Sequence, residues 1–122
     1  MRYFQIDEFD SRDVKGSGSN MDATFLSMID EARAIANIPF KITSGYRTEE
    51  YNNKLIKLGY KASKDSSHLK GLAADVQCTD SRSRYIMLNA LNKVGFCRIG
   101  ISDTFIHCDI STDKSQQVIW VY

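Results

Sequence analysis

The chain contains only two histidines, His68 and His107, and each stands beside a run of apolar residues. His68 ends the polar stretch KASKDSSHLK, and Asp75 follows seven residues on, inside the run Leu72-Ala73-Ala74-Asp75-Val76. His107 sits in a second apolar run, Phe105-Ile106-His107-Cys108. A carboxylate in an apolar strand is expensive unless it is paired or binds a metal, and an imidazole needs partners there too. One cation shared by all three groups meets these needs jointly. Two imidazoles and one carboxylate, with a fourth position left to water, make the donor set of a catalytic zinc. The residues alone leave other readings open. A strand histidine can be a hydrogen-bonded core residue, and Asp75 can be the ion-pair partner of Arg84 or Arg98. The spacing is also not the His-Glu-x-x-His of helical zinc sites.

Strand periodicity supports a shared site. Alternating side chains put Ala73, Asp75 and Gln77 on one face, and Phe105, His107 and Asp109 on one face of the later strand. If the two strands are neighbours, Asp75 and His107 converge.

The elements that must position these residues follow from pattern. Residues 10–20, DSRDVKGSGSN, read as a polar loop. Asn20 or Asp22 caps a helix in which Phe25, Leu26, Met28, Ile29, Ala32, Ile35 and Ala36 recur at helical spacing to about Asn37. Pro39 opens a short strand, Phe40 to Ser44. Thr48 caps a second helix, carrying Tyr51, Leu55, Ile56 and Leu58, which stops at Gly59. Residues 61–70 form another polar loop, and Leu72 to Cys78 reads as a strand. Ser81 caps a third helix running to about Val94 and ending at Gly95. Three strands follow: Phe96 to Ile101, Phe105 to Ile110, and Val118 to Tyr122. Short loops between these late strands predict antiparallel pairing. Helices early and strands late give the class α+β, a small antiparallel sheet against about three helices.

Composition narrows the function further. The 122 residues make one domain, 1–122, long enough to bury a core without staples. Sixteen basic and 15 acidic residues leave a formal charge of +1, which argues against nucleic acid or an anionic membrane as partner. No apolar run approaches the ~20 residues of a membrane span. The N-terminus MRYFQIDEFDSRD has acids where a signal peptide needs an apolar stretch, so no secretory signal is visible. The three cysteines, Cys78, Cys97 and Cys108, are odd in number and lack a Cys-x-x-Cys pair; each reads as a small buried hydrophobe.

Residues 66–75, SSHLKGLAAD, fit the pattern Ser-x-His-x-x-Gly-x-Ala-x-Asp. Ser44-Gly45-Tyr46-Arg47 precedes it and His107-Cys108-Asp109 follows it. In this order the three blocks resemble the zinc D-Ala-D-Ala carboxypeptidase family, whose members include phage endolysins that cut the L-alanyl-D-glutamate bond. FDSRDVKGSGSN near the start and VIWVY at the end look similar to its small single-domain branch. The resemblance implies a zinc peptidase of peptidoglycan stem peptides, acting as a monomer. Synthesis would be cytoplasmic and action on the bacterial cell wall, in a phage or a bacterial setting.

Position by position, the resemblance implies that His68, Asp75 and His107 are the ligands of one zinc ion. Arg47 then supports the substrate carbonyl or the developing oxyanion, a role that suits a permanently charged fork. Ser66 and Tyr46 are candidate substrate-binding residues, though Ser66 also reads as a turn residue. One departure stands out. Many members carry Glu or Asp three residues before the last ligand, where this chain has Thr104. Asp103 and Asp109 are the nearest carboxylates, with Asp103 the favoured proton acceptor and Asp109 suited also to orienting His107. The missing acid leaves a second reading, a zinc-stabilised binding module. The amino-terminal domain of Hedgehog signalling proteins resembles the same fold with a comparable zinc site.

Overall fold

A computed structural model describes residues 1–122. Three α-helices and five strands follow in the order α1 (Ala23–Ala36), β1 (Ile42–Ser44), α2 (Glu49–Lys57), β2 (Ala73–Gln77), α3 (Ser81–Val94), β3 (Arg98–Ile101), β4 (Phe105–Asp109) and β5 (Val118–Val121). The class is α+β, as expected. Three short 3-10 turns, Ile6–Phe9, Ser17–Asn20 and Ser67–Lys70, stand where the sequence read as loop or carried no pattern. Such turns are too short to show periodicity.

Caps locate the helices. The Asp22 carboxylate accepts from the Phe25 amide at 2.9 Å and opens α1. Thr48 opens α2 by accepting from Tyr51 at 3.1 Å. The cap of α3 is Asp80, not Ser81: Asp80 Oδ1 accepts from the Ser83 amide at 2.8 Å, and Ser81 is the first helical residue. A carboxylate there also suits the positive end of the helix.

The strands lie in the order β1-β2-β4-β3-β5, and the pairings β1–β2, β2–β4 and β3–β4 are antiparallel. The last strand departs from expectation: β5 runs parallel to β3. Residues 110–117 carry the chain across β3 to its free side, so β5 returns antiparallel to β4 but parallel to its hydrogen-bonded neighbour.

Alternation divides the sheet into two unlike faces. Ala74, Val76, Ile99, Ile106 and Cys108 point into the core, where Phe25, Ile29 and Ala32 of α1 and Met87, Ala90 and Leu91 of α3 meet them. The other face carries one row across all five strands, formed by register partners: Ser44, Asp75, His107, Gly100 and Trp120. A side chain at Gly100 would place its Cβ 2.6 Å from the Trp120 indole, so glycine lets the indole lie flat over the sheet. Among the cysteines, Cys78 and Cys108 are buried but Cys97 is exposed, which corrects the uniform reading. Cys97 follows the end of α3 and precedes β3, outside the pleat that buries its neighbours.

The N-terminal segment is anchored on α1. Buried Asp30 accepts from the amides of Arg2 (3.1 and 3.2 Å) and Tyr3 (3.0 Å). Burial alone would raise its pKa, but these amides and the Arg2 charge outweigh it and hold the carboxyl below its ordinary 3.8. Because the folded-state pKa is depressed, the stabilisation is complete above about pH 4 and is lost as pH falls through the folded value. Asp30→Asn should therefore cost about 1 kcal/mol at pH 7 in the metal-free protein, with the gap shrinking toward pH 3. Urea melts at the two pH values check this, and an unchanging gap would count against it.

Candidate metal centre

Register brings the first two site residues together: Asp75 and His107 are direct cross-strand partners on the solvent-side face of the sheet. His68 arrives from the turn Ser67–Lys70, which ends at Gly71 in the left-handed region (φ 70°). A Cβ at Gly71 would also sit 2.3 Å from the Asn20 carbonyl oxygen, so both dihedral and space demand glycine there. Ser66 caps this turn, its hydroxyl accepting from the His68 amide at 3.2 Å. The turn reading of Ser66 is thus met, and the residue also lines the hollow that holds His68.

Asp75 Oδ1 is 3.3 Å from His68 Nε2 and 3.0 Å from His107 Nδ1. One donor atom from each residue lies within 4.8 Å of the others, and all three residues are buried. A tetrahedral ion with Zn–N and Zn–O bonds near 2.0–2.1 Å has ligand–ligand edges of about 3.3 Å, close to the two distances from Asp75 Oδ1. The outer hydrogen bonds agree with that use. His68 Nδ1 is 2.7 Å from the Gly45 carbonyl, which can only accept, so Nδ1 carries the proton and Nε2 presents a lone pair. His107 Nε2 is 2.7 Å from Asp109 Oδ2, which leaves Nδ1 facing Asp75. Both imidazoles are oriented by the oxygen acceptors that metal-bound histidines use. The donor set therefore fits a metal ion of the zinc type.

The electrostatics follow from the packing. Burial pushes the His68 imidazole toward its neutral form and outweighs the pull of Asp75. For Asp75, burial works upward, but His68 and His107 hold the carboxyl well below the usual carboxylate range. Burial would lower His107 too, yet hydrogen bonds to Asp109 and Asp75 raise it.

Arg47 is brought to the site in a more defined way than its motif suggested. Its NH2 donates to Asp75 Oδ2 at 3.3 Å, its Nε to Ser44 Oγ at 2.9 Å and its NH1 to Asn52 Oδ1 at 3.2 Å. It thus engages the Asp75 oxygen that the histidines do not. Burial depresses the Arg47 pKa and Asp75 opposes that. The β1–β2 register shift between Ile42 and Ser44 sets Ser44 opposite Asp75, within reach of the guanidinium. Asn52, 1 % exposed, was missed from the sequence. The available signal was a polar residue one turn after the Thr48 cap, whose amide Nδ2 also donates to the Ser63 carbonyl at 2.8 Å. Arg98 pairs with Asp109, not Asp75: its Nε donates to Asp109 Oδ1 at 2.7 Å and its NH1 to the Ser115 carbonyl at 2.6 Å. The Arg98 guanidinium stacks over Trp120 at 5.0 Å, and the indole lies 5.5 Å from the His107 ring.

Two further candidates are placed elsewhere. Tyr46 packs against the core and lines a different hollow with Arg47, Glu49, Asn53, Lys64 and Leu69, which touches the histidine hollow only through Arg47. Asp103 is exposed in the β3–β4 turn, where its Oδ1 accepts from the Ser102 hydroxyl at 3.0 Å. Only its neighbours Ser102 and Thr104 line the cleft.

The three donors lie on the floor of an open cleft of two adjoining hollows, of about 680 and 420 Å³, that share Arg47, Lys61, Ala62 and Asp75. That is room for an extended peptide of a few residues.

No curated protein matches the chain. Among solved structures, the L-Ala D-Glu endopeptidase ChiX of Serratia marcescens is similar, with a TM-score of 0.64 at 15 % identity, covering 78 % of this chain and 84 % of that one. At that identity the likeness is one of fold. The Peptidase M15 family model matches residues 2–109, a span that includes His68, Asp75, His107, Arg47 and Asp109. The chain belongs to the Peptidase M15 family, the zinc D-Ala-D-Ala carboxypeptidase-like group that its three sequence blocks resemble.

Proposed function

We propose that the chain is a zinc metallopeptidase that hydrolyses peptide bonds in peptidoglycan stem peptides, as a D-Ala-D-Ala carboxypeptidase or an L-alanyl-D-glutamate endopeptidase. One observation carries this reading: a peptidase-family chain gathers two imidazole nitrogens and one carboxylate oxygen, within 4.8 Å of one another, at the floor of an open cleft. His68, Asp75 and His107 would hold the metal, which when bound lowers the pKa of water and polarises a carbonyl. Arg47 orients Asp75 and keeps uncommitted N–H groups at the cleft wall, where they can meet charge developing on the scissile carbonyl oxygen. Asp109 holds the His107 ring from behind and is itself held by Arg98. That double engagement suits a positioning role, and we assign proton transfer to Asp103, exposed in the β3–β4 turn outside the cleft lining but next to the cleft-lining Ser102 and Thr104.

Products of stem-peptide digestion, identified by mass spectrometry with and without chelator, test the reading. Release of free D-Ala marks a carboxypeptidase, two peptide fragments an endopeptidase, and cleavage that persists with the metal removed would exclude zinc chemistry. Asp103→Asn should abolish hydrolysis with metal retained. Asp109→Asn should weaken metal binding and rate together, by ~10–100-fold. Normal rates in both variants would place the base elsewhere. The binding-module reading has one observation in its favour: the cleft is lined by no carboxylate except Asp75 and Asp109. Metal-loaded protein that cleaves no stem peptide would support it.

A further inference from the structure

The cleft is strongly cationic in a chain that is otherwise nearly neutral. Its larger hollow is lined by Arg12, Arg47, Lys54 and Lys61 against a single carboxylate, Asp75. Most of the cleft cations are committed. Arg47 is paired with Asp75 and Arg98 with Asp109. Arg12 donates to the Thr43 carbonyl and Lys114 to the Asp65 carbonyl, while Lys54, on α2, lines the larger hollow alone.

Lys61 is different. It lines both hollows, and its Nζ is engaged only by the Ser102 hydroxyl, at 3.1 Å. That hydroxyl passes on to Asp103 Oδ1 at 3.0 Å, and no carboxylate pairs with Lys61 directly. The ammonium also stands over two aromatic rings, 5.9 Å from the centre of Phe105 and 5.5 Å from that of Tyr122, which are themselves 5.2 Å apart. Lys61 is exposed, and two ring faces and one hydroxyl favour this placing of its charge, which lowers the entropy cost of using it. An ammonium has three donors, and the serine uses one. A cation with spare donors, at the junction of a peptide-sized cleft and with no carboxylate paired to it, can receive one from a ligand.

We propose that Lys61 is a specificity-determining residue, binding a carboxylate carried by the substrate peptide beside the scissile bond. This rests on the peptidase reading above. The cleft then selects acidic peptides over their amidated counterparts, and does so less strongly as salt rises.

The test uses two stem-peptide fragments that differ only in having their carboxyl groups free or amidated, with the zinc-loaded full chain. Both binding, by fluorescence anisotropy of labelled peptide, and kcat/KM are measured. Wild type should favour the free acid by ~10-fold, the worth of a charge-assisted hydrogen bond. In Lys61→Gln that ratio should fall to about 1, carried by KM and not kcat, and Lys61→Arg should restore most of it. A ratio unchanged in Lys61→Gln, or equal losses on the two peptides, would overturn the assignment. Cleavage without discrimination between acid and amide sinks this inference alone. Discrimination in binding without any cleavage sinks the peptidase reading and leaves the carboxylate site standing. Binding of neither peptide overturns both.

Discussion

Replacing His68 or His107 by alanine should remove most of the bound metal and lower hydrolysis on the order of 10³-fold or more. Lewis-acid stabilisation is worth several kcal/mol, and each 1.36 kcal/mol is a factor of ten. Elemental analysis reads the metal, and stoichiometry near one zinc per chain is expected in the wild type. The three ligands should not behave alike in stability. His68→Ala removes a neutral, buried ring. Asp75→Ala also strands Arg47, which is 5 % exposed and has no other carboxylate partner. Breaking a buried pair from one side typically costs ~3–5 kcal/mol, so Asp75→Ala should be the least stable of the three even with metal absent. Metal itself couples segments far apart in sequence, since His68 comes from a turn and Asp75 and His107 from separate strands. At free metal a thousandfold above Kd that linkage contributes about 4 kcal/mol. Chelation should accordingly lower the melting temperature of the wild type and leave that of His107→Ala nearly unmoved. Full zinc in His107→Ala, or a wild-type melt indifferent to chelator after proven metal loss, would break the assignment.

Arg47→Lys should retain the fold and lose ~10²–10³ in rate. A guanidinium reaches Ser44, Asn52 and Asp75 at once through three different nitrogens. An ammonium is a point charge and cannot hold that fork while also facing the substrate oxyanion. Losing one transition-state donor accounts for the magnitude. Metal content in the lysine variant should drop less than in any ligand variant, because Asp75 keeps a cation beside it. Arg47→Ala should be harsher, leaving Asp75 Oδ2 and Asn52 Oδ1 without their partner in a buried setting. Wild-type turnover in Arg47→Lys would remove Arg47 from catalysis and leave it a structural counter-ion.

Much of this site was legible in one dimension because costly groups announce themselves locally. Asp75 and His107 each interrupt an apolar run, and strand alternation already put Asp109 on the His107 face. Thr48 and the glycine stops were equally readable, since caps and left-handed positions act within a few residues. Asp80 was displaced by Ser81 in that reading because both are good cap residues and only backbone geometry separates them. Cys97 was misjudged because its apolar neighbours are buried by elements that it merely connects.

The candidate donor set, the family blocks and the faces of the strand residues could all be read along the chain. Those depend on residue type and on a period of two. Folding chose which strands are neighbours, and everything that follows from that. It made Asp75 and His107 direct partners and gave Arg98 to Asp109. It sent β5 parallel along β3 so that Trp120 reaches the His107 ring, and left Asp103 outside the cleft lining. Pairing is set by contacts between residues distant in the chain, where closing the loop and burying the common core govern the choice, and no local pattern encodes that balance.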